Sequence, residues 1–284
     1  MLPFQVINFS ADGKSITFRS DGKQWKYDLQ NSSITADTTK LLENAQRSGG
    51  FGRGSRGIEV LSPDRTKAAF IKDYNLWVKD VKTNQLKQLT TDGIKDFGYA
   101  TDNAGWSGSD GAILRWSPDS KKIATFKQDQ RKVGDMYLAT TNVGHPTLKA
   151  WKYPLPGDKD IPMIHRLVIN VDDAKVIMFN IPPDPHRASL SDDISSSGTF
   201  DDIDWNPDGT EVAFLSTSRD HKQEKFRIAN ALTGEVREVF EEVVPTQYES
   251  GWGAINWRYL PKTKEIIWYS ERDDWGHLYL YDAT

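Results

Sequence analysis

The stretch Trp116-Ser117-Pro118-Asp119-Ser120-Lys121-Lys122-Ile123-Ala124 carries a turn between two short runs of apolar residues. Proline sets φ at the first central position of a turn, and aspartate caps the backbone that follows it. The flanking residues alternate in polarity, which is typical of strands with one buried face. The stretch therefore predicts a β-hairpin centred at Pro118-Asp119.

The same pattern recurs at four other places along the chain. The other copies are Phe9-Ser10-Ala11-Asp12-Gly13, Leu61-Ser62-Pro63-Asp64, Trp205-Asn206-Pro207-Asp208-Gly209 and the degenerate Trp257-Arg258-Tyr259-Leu260-Pro261. The acids of the first three copies are 52 and 55 positions apart, and a four-stranded propeller blade needs about 40–50 residues. We interpret each copy as the hairpin that joins the first two strands of a blade, with turns at Ala11-Asp12, Pro63-Asp64 and Pro207-Asp208.

Further alternating segments supply the third and fourth strands of the blades. The expected third strands are residues 76–80 and 278–282, and the expected fourth strands are residues 86–90 and 236–240. In the longer third repeat, the expected remaining strands are residues 136–140, 166–171 and 175–179. The predicted fold class is all-β, a β-propeller of four-stranded antiparallel blades with about five blades visible.

Composition places the chain among soluble globular proteins, because 37% of its 284 residues are hydrophobic, 27% are charged, and the net charge is -4. The absence of a basic surplus argues against nucleic acid as a partner. The chain has no cysteine, so disulfides and cysteine-ligated metals are excluded. No run of 18 apolar residues is present, so no membrane span is predicted.

Three segments are more specific than the repeat that any propeller would show. After Trp116–Ala124 come Met136-Tyr137 and then Tyr153-Pro154-Leu155-Pro156-Gly157-Asp158, and the chain closes with residues 269–281, Tyr-Ser-Glu-Arg-Asp-Asp-Trp-Gly-His-Leu-Tyr-Leu-Tyr. In this order they resemble the N-terminal propeller of the dipeptidyl peptidase IV family of prolyl oligopeptidase-type serine peptidases. The closing segment resembles bacterial members, and the resemblance runs from about residue 5 to the end.

In that family an eight-bladed propeller precedes an α/β-hydrolase domain, and substrate enters a cavity between them. The resemblance implies that residues 1–284 form an incomplete propeller without the catalytic domain. The implied function is a non-catalytic domain that gates and binds the substrate of a serine exopeptidase. The implied partners are a peptide substrate, the hydrolase domain of the same polypeptide and a second copy in a homodimer. We expect a periplasmic or secreted location, although no signal peptide is recognised at the start of this chain.

The residues themselves offer no catalytic centre. A serine peptidase needs a G-x-S-x-G elbow, and the one near-match, Gly105-Trp106-Ser107-Gly108-Ser109, lacks the last glycine. The five histidines have no metal-ligand spacing. We therefore expect no catalytic residue, no metal and no cofactor in this chain.

The candidate binding residues lie in the segment Phe97–Trp106, just before the third repeat's turn. In the resembled family this place carries paired glutamates that bind the substrate's α-amino group. Here Asp102 is the segment's only acid, with Asn103 beside it. The resemblance implies that Asp102 and Asn103, with Tyr99 and Trp106 alongside, line the cavity and contact the amino end of a peptide. The alternative is that Asp102-Asn103 is an ordinary turn.

Two other functions are compatible with a propeller. The first is a stand-alone platform for binding proteins, as in WD-repeat and TolB-like propellers. The second is a propeller enzyme such as a glycosidase or lyase, which would need paired carboxylates or a histidine cluster near the channel. The sequence offers no clear set of such residues.

Overall fold

The computed structural model describes residues 7–10, 12–20, 23–36, 59–101, 111–141, 143–185, 202–246 and 257–284. These residues form 23 strands and no helix, so no helix in the described ranges is long and apolar enough to cross a membrane. The chain divides into two compact units, Met1–Arg53 and Gly54–Thr284. Each unit is described by itself.

The first unit contains one antiparallel sheet of four strands in chain order. Its strands are β1 (Ile7–Phe9), β2 (Ser15–Ser20), β3 (Lys23–Asp28) and β4 (Ser33–Ala36). Three hairpins connect these strands, and the hairpin between β1 and β2 carries the first copy of the sequence repeat. This sheet is the blade predicted around Asp12.

The second unit contains the other four repeats, each built as an antiparallel sheet. Its first strands are β5 (Val60–Leu61), β6 (Lys67–Lys72), β7 (Asn75–Asp80), β8 (Leu86–Gln88), β9 (Phe97–Tyr99), β10 (Arg115–Trp116) and β11 (Lys122–Asp129). Then follow β12 (Asp135–Ala139), β13 (Leu148–Lys152), β14 (Met163–Asn170), β15 (Val176–Met178) and β16 (Asp184–Pro185). The last are β17 (Ile203–Trp205), β18 (Glu211–Thr217), β19 (Gln223–Asn230), β20 (Val236–Val243), β21 (Trp257–Leu260), β22 (Glu265–Ser270) and β23 (His277–Asp282).

The prediction of an all-β fold with four-stranded antiparallel blades is confirmed. Strands β5 to β8 form the second blade and β17 to β20 the fourth, each in chain order. The third blade has the order β10-β11-β14-β15, with β9 and β16 added beside the ends of β11 and β14. The fifth sheet, β21-β22-β23, has three strands among the described residues.

One strand prediction for the third blade is wrong. Residues 136–139 do not join the blade but lie in β12, which pairs with β13 in a separate two-stranded sheet. Strand β14 takes the predicted place beside β11. The reason is burial, because Leu167 and Ile169 of β14 are fully buried whereas Tyr137 of β12 is 60% exposed. The extra length of the third repeat is thus a mostly exposed hairpin inserted between two blade strands.

All four predicted turns form. Each closes with a backbone bond across the turn, namely Gly13 N to Ser10 O at 2.9 Å, Arg65 N to Ser62 O at 2.8 Å, Ser120 N to Ser117 O at 2.9 Å and Gly209 N to Asn206 O at 3.0 Å. In the second blade the Ser62 hydroxyl donates to Asp64 Oδ1 at 2.6 Å, and the Thr66 amide donates to the same oxygen at 3.0 Å. These bonds, led by that of Ser62, lower the pKa of Asp64 to about 2. The aspartate of the repeat therefore caps its turn as an anion at neutral pH.

Tryptophan in the repeat links neighbouring blades. Trp116 Nε1 donates to Val60 O at 3.1 Å, and Trp205 Nε1 donates to Arg115 O at 3.2 Å. Each bond joins the first strand of one blade to the first strand of the blade before it. The second, third and fourth blades therefore pack side by side in the same orientation, with their Asp-containing turns at one end.

Three apolar clusters fill the spaces between neighbouring blades of the second unit. On β14, Leu167 and Ile169 pack between the second and third blades, whereas Ile164 and Val168 pack between the third and fourth. Successive side chains of a strand point to opposite faces. A strand covered on both sides is therefore continuously apolar, as the run 167–169 is.

Charged side chains buried in the described residues are confined to one end of the blades. They are Lys127, Arg166, Asp184, Asp202, Glu224 and Glu242. The strand registers place all of them in the halves of the sheets away from the repeat turns. We call this end of the second unit the charged end.

Arg166 joins the third and fourth blades at the charged end. Its Nε donates to Asp184 Oδ2 at 2.7 Å, and its Nη2 donates to Asp202 Oδ2 at 2.5 Å and to Leu215 O at 2.7 Å. Burial alone would lower the pKa of Arg166, but the charges of Asp202 and Asp184 outweigh it and raise the pKa. The two carboxylates thus keep a buried guanidinium charged and hydrogen-bonded.

Replacing one carboxylate tests this ion pair. We expect Asp202→Asn to lower the free energy of unfolding by about 3 kcal/mol, because it leaves the buried Arg166 undercompensated. The matched control is Asp204→Asn, whose partner Arg115 is 39% exposed, so the expected loss is less than about 1 kcal/mol. Urea denaturation measures both. Equal losses would contradict the assignment of Arg166 as the dominant ionic link between these blades.

The residue after the aspartate of each turn has a left-handed backbone. Glycine occupies this position in two copies, Gly13 with φ 66° and Gly209 with φ 63°, whereas Arg65 has φ 60°. A non-glycine residue there costs about 1–2 kcal/mol. We expect Arg65→Gly to raise the free energy of unfolding by about 0.5–1 kcal/mol.

The control for Arg65→Gly is Lys82→Gly, at an exposed turn residue without a positive φ. That change should lower the free energy of unfolding, since it only adds freedom to the unfolded chain. Urea midpoints of the two variants should therefore move in opposite directions. A shift of the same sign in both would show that backbone strain at Arg65 is not relieved.

Candidate functional site

The structure describes one of the four predicted binding residues. Tyr99 ends strand β9, at the charged end of the third blade. Asp102, Asn103 and Trp106 lie outside the described residues. The site is therefore built from the residues that lead into and out of the segment 102–110.

The first strand of the third blade is split around this segment. Strand β9 pairs with the end of β11, with Tyr99 opposite Lys127. Strand β10 pairs with the start of β11, with Trp116 opposite Ile123. Strands β9 and β10 thus pair with β11 on either side of residues 100–114.

Hydrogen bonds join the end of β9 to the residues that precede β10. Ala100 N donates to Phe126 O at 2.9 Å, and Ile113 N donates to Ala100 O at 2.9 Å. The Thr125 hydroxyl donates to Ile113 O at 2.7 Å. Ala100 is fully buried and has φ 53°, a conformation that costs about 1–2 kcal/mol outside glycine. We call Tyr99–Thr101 and Gly111–Ile113 the stem, which begins and ends at fixed points on β11.

A buried ammonium group lies beside the stem. Lys127 Nζ is 2.7 Å from Asp92 Oδ2, and it donates to Asp92 O at 3.0 Å. It also lies 4.0 Å from the ring centroid of Phe97 and 4.9 Å from that of Tyr99. We call Asp92, Phe97 and Tyr99 the Lys127 cage, because a carboxylate, a carbonyl and two aromatic rings surround one ammonium.

Tyr99 is part of this cage rather than of an open surface. Its side chain is 3% exposed, and its hydroxyl donates to Asp92 Oδ1 at 2.7 Å. Burial and the Asp92 carboxylate raise the pKa of Tyr99. Burial opposes ionisation of Asp92, but its bonds with Lys127 and Tyr99 prevail and lower its pKa. At neutral pH, Tyr99 is therefore a neutral donor to an anionic Asp92.

The second blade holds Asp92 in place through the next residue, Gly93. Gly93 N donates to Asn75 Oδ1 at 2.8 Å. A Cβ at Gly93 would lie 2.1 Å from Tyr74 O, so only glycine fits. Tyr74 O also accepts the Tyr99 amide at 2.9 Å. The turn between β6 and β7 thus positions both the cage and the entry to the stem.

A second cation borders the cage. Arg131 lies over the Phe97 ring at 4.1 Å and pairs with Asp129, Nη2 to Oδ2, at 2.7 Å. The His165 ring meets Phe97 edge-on, with centroids 5.9 Å apart. Burial lowers the pKa of His165; the Asp129 carboxylate opposes this effect, and the charges of Lys127 and Arg131 add to it.

Sequence reasoning missed Asp92 and Lys127. They are 35 positions apart and belong to no motif, so only the packing of the second blade on the third brings them together. A weak signal existed, because Lys127 directly follows the buried run Ile123–Phe126 of the predicted core strand. The candidate elbow serine, Ser107, lies outside the described residues. Within the described ranges, no three His, Asp or Glu side chains are grouped to hold a metal ion.

Comparisons with known proteins agree with this architecture. The Porphyromonas gingivalis dipeptidyl peptidase 4 structure matches with a TM-score of 0.63 at 19% identity, covering 98% of this chain and 38% of that chain. "Probable dipeptidyl-aminopeptidase B" of Aspergillus oryzae is 20% identical over 195 residues, 63% of this chain and 20% of that protein. Dipeptidyl-aminopeptidase B of Aspergillus niger is 21% identical over 197 residues, with the same coverage.

The chain therefore spans about a fifth of the length of these curated relatives. The model of the family described as the dipeptidyl peptidase IV (DPP IV) N-terminal region matches residues 10–284. That match covers nearly the whole chain, including the turns of all five repeats. The chain belongs to the dipeptidyl peptidase IV N-terminal region family.

Proposed function

We propose that this chain is the non-catalytic domain that gates and binds the substrate of a dipeptidyl peptidase IV-like serine exopeptidase. Its family membership and the names of its relatives support this proposal. Since the chain spans about a fifth of the curated relatives, a hydrolase domain of the same polypeptide would supply the catalytic residues. The propeller would exclude folded proteins and grip the amino end of a peptide.

The proposal rests mainly on the geometry of the stem. It interrupts the first strand of a blade at the charged end, and both of its sides are anchored on β11. Binding residues are often found on loops held by a rigid scaffold. Strained backbone such as that of Ala100 clusters at functional sites. Residues 102–110 are therefore the best candidates for contact with a ligand.

The amino end of a peptide is a charged ammonium group, so the site that binds it requires an anion. An ammonium group withdrawn from water needs an opposite charge and hydrogen-bond acceptors. In this proposal Asp102 supplies the charge and Asn103 a neutral acceptor, with Trp106 and Tyr99 nearby. One carboxylate with an amide would hold the ammonium less firmly than the family's paired carboxylates, so strict dipeptide specificity is not expected.

A second candidate function is a platform for binding other proteins. The exposed hairpin β12–β13 favours it, because Tyr137 is 60% and Leu148 66% exposed. Exposed apolar side chains on a two-stranded ribbon are available for contact with a partner. In the leading proposal, the same surface would serve the homodimer that the family resemblance implies.

The Asp102 assignment is tested by binding of a peptide with a free or an acetylated amino end. We expect Asp102→Ala to weaken binding of the free peptide by about ten- to a hundredfold, the value of a lost hydrogen bond to a charged group. Binding of the acetylated peptide should not change. Calorimetric titration of the chain measures both affinities.

The control is Asp172→Ala, in the exposed turn between β14 and β15 at the end away from the stem. It should leave both affinities unchanged. If Asp102→Ala also leaves both unchanged, then Asp102 is only a turn residue. If it weakens both peptides equally, the loss is structural and not recognition of the amino end.

The non-catalytic part of the proposal has its own test. We expect this chain alone not to release the chromophore from a chromogenic Xaa-Pro dipeptide substrate, because it encodes no complete nucleophile elbow. Any turnover should be unaffected by Ser107→Ala, since it would come from a contaminant. Turnover abolished by Ser107→Ala would overturn the assignment.

A further inference from the structure

The segment that leads out of the exposed hairpin β12–β13 is stiff because of its prolines. Residues 153–162, which we call the strap, run from β13 to β14 and contain Pro154, Pro156 and Pro162. Each proline fixes its own φ and restricts the residue before it. The strap includes the run Tyr153–Asp158, one of the segments that distinguish this chain from a generic propeller, and the proposed function leaves that run without a role.

A tight turn with the residues of type II lies in the middle of the strap. Asp158 N donates to Leu155 O at 3.0 Å, and Leu155 N donates to Asp158 Oδ2 at 2.8 Å. Pro156 takes the first central position and Gly157, with φ 90°, the second, which is the pair that a type II turn favours. A Cβ at Gly157 would meet nothing within 4 Å, so the backbone conformation and not the space requires glycine.

One guanidinium from the fourth blade binds both ends of this turn. Arg219 lies in the turn between β18 and β19, and it donates through Nη1 to Asp158 O and through Nη2 to Leu155 O at 3.4 Å. These contacts join positions that are 61 and 64 residues apart in the chain. The strap and the turn of Arg219 both lie at the charged end. Binding two main-chain carbonyls at once uses the forked geometry of the guanidinium.

The other leg of the hairpin is fixed to the third blade. Gln130 N donates to Asp96 O at 2.9 Å, and Val133 N donates to Gln130 O at 3.1 Å. Val133 is 3% exposed, and its carbonyl accepts Lys152 Nζ at 2.9 Å, which ties the two legs together at the base of the hairpin. A hairpin attached through this leg alone could pivot, and the contact of the strap with Arg219 supplies a second attachment.

We propose that Arg219 is a latch, which holds the strap on the fourth blade and so fixes the direction in which the hairpin β12–β13 projects from the charged end. The hairpin then projects as a rigid arm and does not pivot about residues 130–134. A partner that contacts its exposed side chains meets a surface already in place, which reduces the cost of ordering on binding. The inference does not depend on the proposed function, since its contacts lie outside the segment proposed to bind a peptide.

The distance between two spin labels measures the latch directly. The chain has no cysteine, so labels go only to cysteines introduced at Ala139, exposed on β12, and at Leu232, 56% exposed in the turn between β19 and β20. Pulsed dipolar resonance should give a narrow distance distribution for the otherwise unchanged chain and one about twofold broader in Arg219→Gln, since local opening becomes easier. Arg219→Lys should give an intermediate width, because an ammonium lacks the fork that spans both carbonyls.

Two controls separate the latch from charge and from backbone strain. Lys222→Gln removes one positive charge from an exposed position of the same turn and should leave the distribution narrow. Gly157→Ala disturbs the latch from the side of the strap, because it places a side chain on a φ of 90°, and it should broaden the distribution. Gly13→Ala makes the same change at a φ of 66° in the first unit, also in open space, and should not.

Hydrogen exchange shows whether the hairpin moves as a unit. In Arg219→Gln the amide of Asp158 should exchange about tenfold faster, as the loss of a hydrogen bond to a charged group would predict. The amide of Thr140, bonded to Thr147 O within the hairpin at 2.9 Å, should not change. A distribution in Arg219→Gln that is no broader than that of the unchanged chain would overturn the latch. Loss of protection at Thr140 would overturn it as well, because Arg219 would then stabilise the fold of the hairpin and not its direction.

Discussion

Burial of the middle strands on both faces is the constraint on which the second unit depends. Each blade covers one face of the next, so Leu167 and Val168 on adjacent positions of β14 belong to two different cores. Apolar burial stabilises by about 25 cal/mol per Å², and no sheet of this kind can bury both faces alone. The blades are therefore stable as a packed series, and the tryptophan bonds Trp116–Val60 and Trp205–Arg115 set their spacing.

The two ends of the blades are held together by different interactions. At the turn end, Ser–x–Asp caps satisfy the backbone with local bonds, such as that from the Lys121 amide to Asp119 Oδ1 at 3.1 Å and that from the Lys122 amide to the Ser117 hydroxyl at 2.9 Å. At the charged end, neighbouring blades share ion pairs. Arg166 and Asp202 are both buried, and between the fourth and fifth blades the buried Glu242 pairs with the partly exposed Arg272 at 2.8 Å. Such pairs are costly to bury and add little to apolar packing. They are concentrated at the end that carries the stem.

Local features of the sequence predicted most of the fold. The turns at Pro63-Asp64 and Pro118-Asp119 could be predicted because each is closed by residues within a few positions. The prediction that residues 136–140 form a strand of the third blade was wrong. Two segments compete for the place beside β11, and β14 buries more apolar surface there. The assignment of Asp102, Asn103 and Trp106 to a binding site stays a prediction, because these residues lie outside the described part of the chain. The Tyr99 hydroxyl serves Asp92, and the Lys127 cage depends on contacts between blades that no local pattern encodes.

Under the proposed function, the stem presents a segment that binds the amino end of a peptide. Backbone NMR of the isotope-labelled chain, titrated with a short peptide that has a free amino end, tests it most directly. Shifts should concentrate at Tyr99–Thr101 and Gly111–Ile113 and be absent from the turn at residues 62–66. Shifts confined to the hairpin β12–β13, with none at the stem, would contradict it.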